Sequence, residues 1–253
     1  MSDLIELPFE TDGGFGSRAT IGLVVLETDH TLEPEVRSIH VPGVVWYHSR
    51  IHMEPEVSAE TLTDMRERLP EAAKLLPTEF GFDAIGYGCT SAATLIGEEG
   101  VVSAIQVAHP DMACSNPISA AVEAFRALGA SNIAVVTPYT AAVTAPIIEH
   151  FRSAGIEVDN FGSFNESRDH VVAAISPESI AAGVREIAAA TECDGVFISC
   201  TSLRTFDIID DLETELGVPV VSSNSALTWH LLRLAGIDEP INGPGKLFTR
   251  PAA

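Results

Sequence analysis

Residues 88–94 read GCTSAAT and residues 199–205 read SCTSLRT, so the chain writes Cys-Thr-Ser-x-x-Thr twice, 111 residues apart. Two readings compete at once: a duplicated structural turn, or two halves of one reactive site. If the match were chance, the sequence around it would not align, yet it does on both sides. Upstream, FDAIGYGCTS (82–91) matches CDGVFISCTS (193–202), each with an Asp six residues before the Cys, Asp83 and Asp194. Further back, ATIGLVVLET (19–28) matches SNIAVVTPYT (131–140), with Ile21 lying 68 residues before Cys89 and Ile133 lying 67 before Cys200. Downstream, SNPISAAVEAFRALGA (115–130) matches SNSALTWHLLRLAGI (223–237), with Asn116 and Asn224 following their cysteines by 27 and 24 residues. Four anchors in one order imply an internal duplication.

Each unit alternates short β-branched runs with helical stretches, the pattern of a parallel sheet flanked by helices. Strands are predicted near 20–26, 43–48 and 83–88, then near 132–137, 156–160, 194–199 and 218–221. Helices are predicted near 59–75, starting in the cap-like SAETLTDM, and near 118–128, 141–154, 177–190, 204–216 and 225–235. The fold class is therefore α/β, with two pseudo-symmetric Rossmann-like lobes. The helix at 118–128 is expected to cross into the second lobe and that at 225–235 back into the first. The lobes would then be 18–116 with 225–253, and 117–224.

Both cysteines fall at the carboxyl end of a strand, where ligands bind in open α/β sheets. A pseudo-twofold axis would turn the two strand ends toward each other across an interlobe cleft, so that two thiols flank one small substrate. Read as helix N-termini, both positions would lower a thiol from its free value of about 8.5, with the dipole worth roughly 0.3–1 kcal/mol. One thiolate beside one thiol is the resting state this predicts. Such a pair suits chemistry in which one face of a carbon loses a proton, or receives a nucleophile, while the other gains a proton. Thr90, Ser91, Thr201 and Ser202 are placed to hold a carboxylate and the enolate-like charge that develops.

Bulk composition narrows the function further. Fourteen basic against 36 acidic residues give a net charge of −22, which repels phosphate backbones and anionic lipid. Nucleic acid and membrane are thus not expected partners. No apolar run reaches the roughly 18 residues of a membrane span, and MSDLIELPFETDGGFGS carries acids where a signal peptide carries basic residues. A cytoplasmic protein is expected. No Gly-rich phosphate loop, P-loop Lys or metal cluster accompanies the repeat, so no cofactor and no metal are expected. Cys114 and Cys193 lack matching partners and read as packing residues. Asn116 and Asn224 read as helix N-caps, Asp83 and Asp194 as turn residues, and Trp229 and His230 as packing against the first unit. His48 and His52, in HSRIH, read as surface or core groups.

The paired cysteines, TPYT (137–140) and VPVVSSNSALTWHLLRLAGI (218–237) resemble the Asp/Glu racemase superfamily, in its branch of maleate isomerases, arylmalonate decarboxylases and ectoine-utilisation proteins. The resemblance spans about residues 19–237. GLVVLETDHTLEPEVRSI (22–39) looks most like the ectoine-utilisation proteins, with Thr28 and Asp29 where maleate isomerases more often have Ser-Asn. An acid at 29 would repel a dicarboxylate and favour a substrate bearing an amino group. The resemblance implies Cys89 and Cys200 as the catalytic pair and Tyr139 as a substrate hydrogen-bonding group. It also implies a further binding residue near 167–170, where His170 is the candidate. It implies a small carboxylate substrate and a homo-oligomer. Racemisation or isomerisation at an α-carbon is the leading expectation; maleate isomerisation, arylmalonate-type decarboxylation and non-catalytic carboxylate binding are the alternatives.

Overall fold

The computed structural model describes residues 4–12, 14–54 and 59–251, with 59, 60, 62 and 63 as backbone alone. The first half runs β1 (Ala19–Leu26), α1 (Leu32–Ser38), β2 (Val44–Ile51), α2 (Ala59–Lys74), β3 (Ala84–Gly88), α3 (Thr90–Ile96), α4 (Glu98–Gln106) and β4 (Cys114–Ser115). The second half runs α5 (Pro117–Leu128), β5 (Asn132–Thr137), α6 (Ala141–Ser153), β6 (Glu157–Ser163), α7 (Asp169–Val172), α8 (Pro177–Ala190), β7 (Gly195–Ile198), α9 (Phe206–Leu216), β8 (Val220–Ser222) and α10 (Ser223–Leu234). The two sheets are wholly parallel, in the orders β2-β1-β3-β4 and β6-β5-β7-β8. One order is the image of the other, which is what the repeated anchors required.

The central strands read as unbroken apolar runs because helices cover both faces of a parallel sheet. All eight residues of β1 are buried. The repeated aspartates fasten the start of each central strand: Asp83 accepts from the Thr20 N–H at 2.8 Å, and Asp194 accepts from the N–H groups of Ser131 and Asn132 at 2.8–2.9 Å.

Helix α5 begins at Asn116, whose side chain accepts from the N–H groups of Ile118 and Ser119, and ends on Gly129 in the left-handed region, φ 74°. Its partner helix α10 is started differently. Ser222 caps it in a reciprocal box with Ser225, so Asn224 is not the cap the sequence suggested. The cap expected at Ser58 lies outside the described residues. Helices α5 and α10 lie against each other, and α10 also lies against β3 and β4. The bare Cα of Gly86 lets Leu231 and Leu227 of α10 settle on the first sheet. The Trp229 indole donates to the Arg250 carbonyl of the C-terminal segment at 2.9 Å, and His230 pairs with Ser115 at 2.8 Å, which ties α10 to β4 of the first half.

Four short elements were not expected: α1, α4, α7 and the two-residue β4. The helix expected from 204 starts at Phe206, so a turn rather than a helix follows Cys200. Among the described residues no helix is long and apolar enough to cross a membrane.

On the second sheet, α5 contributes Phe125, fully buried, which meets Phe151 and Phe197 with ring centroids 6.2 and 6.3 Å apart and edge-on geometry. Phe125→Ala should therefore cost about 3–5 kcal/mol of stability. Urea denaturation of the variant beside the parent checks this, and a loss below 1 kcal/mol would mean that α5 is not anchored on that sheet.

Candidate active site

Strand β3 delivers Cys89, which is the N-cap residue of α3 with extended backbone, φ −143° and ψ 113°. Strand β7 delivers Cys200 two residues past its end, at φ 115°, a backbone conformation that side chains other than glycine rarely adopt. That strained turn is pinned: the Cys200 N–H donates to Ser223 Oγ at 3.0 Å, and the Ser202 N–H donates to Cys200 Sγ at 3.4 Å. Each thiol is 4% exposed.

The threonine after each cysteine reaches across to the other half. Thr90 Oγ1 donates to Ser223 Oγ at 2.8 Å, and Ser223 in turn holds the Cys200 backbone. Thr201 Oγ1 donates to the carbonyl of Gly88, the residue before Cys89, at 3.3 Å. Both hydroxyls thus serve as fasteners between the two strand ends, whereas the sequence suggested that they hold a carboxylate. The serines stay beside the sulfurs, with Ser91 Oγ 3.8 Å from Cys89 Sγ.

Tyr139 stands near both cysteines. Its buried hydroxyl bonds the Cys200 thiol and the Ser91 hydroxyl, and it feels the charge of both cysteines. The Tyr87 hydroxyl, fully buried in β3, donates to Met65 Sδ at 3.4 Å and lies near Cys89. Each sulfur therefore has its own neighbouring donors: Tyr139 and the Ser202 N–H for Cys200, and the Ala92 N–H and Ser91 for Cys89.

Asp169, the first residue of α7, completes the cluster and was missed in the sequence. It is 8% exposed. Ser202 Oγ donates to its Oδ1 and Thr28 Oγ1 to its Oδ2, both at 2.8 Å. Its carboxylate pushes up the pKa of both thiols, after the larger effect of burial. His170, expected in this place, is exposed instead. At this stretch the chain buries Asp169, and nothing in SRDH marks which side chain a four-residue helix turns inward. Thr28 joins the site through Asp169. Asp29 does not follow it: its carboxylate accepts from the N–H groups of Leu32 and Glu33 at 2.9 and 3.1 Å and closes the start of α1.

A second ring of bonds locks the halves together beneath the cysteines. The Thr31 hydroxyl donates to the Ser202 carbonyl at 2.9 Å. Glu35 on α1 accepts from the N–H groups of Thr205 and Phe206 at 2.6 and 3.0 Å, capping α9 of the other half, and from Asn224 Nδ2 at 2.6 Å. Asn224 also donates to the Thr201 carbonyl at 3.0 Å, so it braces the second cysteine turn.

The electrostatics overturn one expectation. Burial pushes the Cys200 thiol up to about 12 and raises Cys89 as well, so neither rests as a thiolate near neutrality. Desolvation outweighs the helix end at Cys89, and no helix begins at Cys200. His52 pairs with Glu27 at the surface, and His48 is half-buried in β2 with its pKa lowered by desolvation. Among the described residues no group of acidic, His and Cys side chains is arranged to hold a metal ion.

Two duplicated parallel-sheet units, each carrying a buried cysteine just past a matching strand end, define an α/β protein with a candidate site at those ends. Residues 21–248 match the family model described as arylmalonate decarboxylase, and the chain belongs to that family. It is 27% identical to a maleate isomerase of Nocardia farcinica, over 92% of this chain and 96% of that protein. It is 31% identical to an arylmalonate decarboxylase of Bordetella bronchiseptica, over 53% of this chain and 57% of that one. A cysteine-to-serine variant of Nocardia farcinica maleate cis-trans isomerase, solved with a covalently bound succinylcysteine intermediate, shares the fold. Its TM-score is 0.83 at 23% identity, covering 91% of this chain and 98% of that one.

Two predictions follow from these ionisations. The alkylation rate of Cys200 by iodoacetamide, read by mass spectrometry, should climb with pH past 10 without levelling off; a plateau near pH 8 would show a thiolate at rest. Glu35 is pushed up from 4.5 to about 7 by desolvation, against the opposing pull of its donors. The folded chain thus keeps the Glu35 proton to higher pH than the unfolded chain does. This contribution to stability is full below pH 4.5 and falls by about 1–3 kcal/mol as pH rises to about 7. Glu35→Gln should flatten that slope in denaturation curves, and an unchanged slope would place the titration elsewhere.

Proposed function

We propose that the chain is a cofactor-independent isomerase acting at the α-carbon of a small carboxylic acid, with the thiols of Cys89 and Cys200 as an acid/base pair. One observation supports the reading: two buried sulfurs stand at equivalent strand ends, the Tyr139 hydroxyl bonds the Cys200 thiol and feels the charge of both, and each sulfur has its own neighbouring donor, the Ser202 N–H at Cys200 and the Ser91 hydroxyl at Cys89. A site with one base needs such donors at one sulfur only. A site that exchanges acid and base needs them at both.

The step follows from that symmetry. A thiolate on one sulfur takes the α-proton and becomes a thiol, while the C–H electron pair passes into the carboxylate as an enolate. The thiol on the opposite face gives its proton to the α-carbon and becomes the thiolate. The configuration is inverted and the two sulfurs have exchanged roles. Burial favours the difficult half of this step, since a thiolate whose pKa is raised is a stronger base toward a weakly acidic C–H bond. It also makes the ionised state scarce, so substrate arrival has to help create it.

Two further readings have specific support. The maleate isomerases among the relatives, and the succinylcysteine in one neighbour, support cis–trans isomerisation. There a thiolate adds to a double bond, the carbon–carbon bond rotates, and the thiolate leaves. The family model supports decarboxylation, which would proceed with one cysteine.

Solvent deuterium exchange tests the reading. The parent should incorporate deuterium at the α-position of an accepted acid, and Cys89→Ser and Cys200→Ser should each lose about 10²–10⁴-fold in rate. Loss of maleate with no exchange at saturated acids would assign cis–trans isomerisation instead. Release of carbon dioxide from a disubstituted malonate that survives Cys89→Ser would assign decarboxylation.

A further inference from the structure

Resting on the two-thiol reading, we propose that Asp169 sets the charge of the substrate: the site takes an acid that also bears an ammonium group and turns away a dicarboxylate.

Buried carboxylates in folded proteins are paired with a cation or bind one, because an ionised group removed from water is costly alone. Asp169 has no such pair among the described residues. Its neighbour Arg168 turns outward and is held by Glu166 at 2.7 Å. His170 is exposed. Its two contacts are hydroxyls, Thr28 and Ser202, each 2.8 Å away. Those bonds orient the carboxylate and leave its charge uncompensated.

The rest of the site points the same way. Among the described residues, the side chains bonded to the thiols or to Asp169 are Thr28, Ser91, Tyr139 and Ser202, none of them basic. Hydroxyls and N–H groups can hold one carboxylate. A second carboxylate would need further donors, and two hydroxyls that could serve, those of Thr28 and Ser202, are already bonded to Asp169. It would also meet the Asp169 charge. An ammonium group would meet the counter-charge the cluster lacks, close to the carbon between the two sulfurs.

Calorimetric binding of 2-amino acids, and of succinate as an unreactive dicarboxylate, to the parent, Asp169→Asn and Thr28→Val separates the possibilities without requiring turnover. The parent should bind at least one 2-amino acid and bind succinate at least 10-fold more weakly. Asp169→Asn, nearly the same shape without the charge, should weaken the amino acid at least 10-fold and strengthen succinate. Thr28→Val keeps the charge, so it should shift the preference in the same direction by less, which separates charge from loss of fold. No amino-acid binding by the parent, or the same ratio in parent and Asp169→Asn, would overturn the proposal. Failure of the two-thiol reading would look different: Asp169→Asn would still shift the binding ratio, while Cys89→Ser and Cys200→Ser left deuterium exchange unchanged.

Discussion

The molecule depends on the crossed fastening of its two strand ends. Thr90 bonds Ser223, which holds the backbone of Cys200, and Thr201 bonds the carbonyl that precedes Cys89. Each cysteine is thus positioned by a residue from the opposite half. A neutral hydrogen bond contributes only about 1 kcal/mol net, but leaving a buried partner unmade costs more, and these bonds are buried. The two halves cannot slide apart without exposing several such groups at once. This explains why the Cys-Thr-Ser motif is written twice: the Thr of each copy ties it to the other, and the Ser stays with its own sulfur.

The duplication is exact in topology and inexact in chemistry. Cys89 sits in ordinary extended backbone at the start of a helix, whereas Cys200 sits in a strained turn at φ 115° with no helix behind it. The supports gather around the second cysteine: Ser223, Asn224 and Glu35 brace its turn, and Asp169 reaches it through Ser202. Strain at a functional residue persists only where the surroundings over-determine it. The bond from Glu35 into the start of α9 is part of that frame, and it comes from the first half of the chain.

Elements that repeat were legible in the sequence. The central strands, the paired helices and the two cysteines each appear twice, so a weak local signal in one copy is reinforced by the other. Tyr139 came through the family resemblance alone. The two site residues that were missed, Asp169 and Glu35, are not part of the repeated motif. Asp169 lies on a helix too short to show a periodic face, and Glu35 lies on a helix of only seven residues. The ionisation of the thiols was misjudged for a different reason: helix ends can be read from sequence, but burial to 4% is a property of the assembled halves, and it is the larger effect.

Burial and the acid at 169 together give the proposed chemistry its logic. Both raise the thiols, so an unliganded site keeps its sulfurs protonated and unreactive. An anion entering alone would raise them further. A zwitterion would bring an ammonium group against Asp169 and offset the charge that opposes ionisation at both sulfurs. The substrate that the carboxylate selects is then also the one that makes a thiolate easier to form, which couples recognition to activation through one side chain.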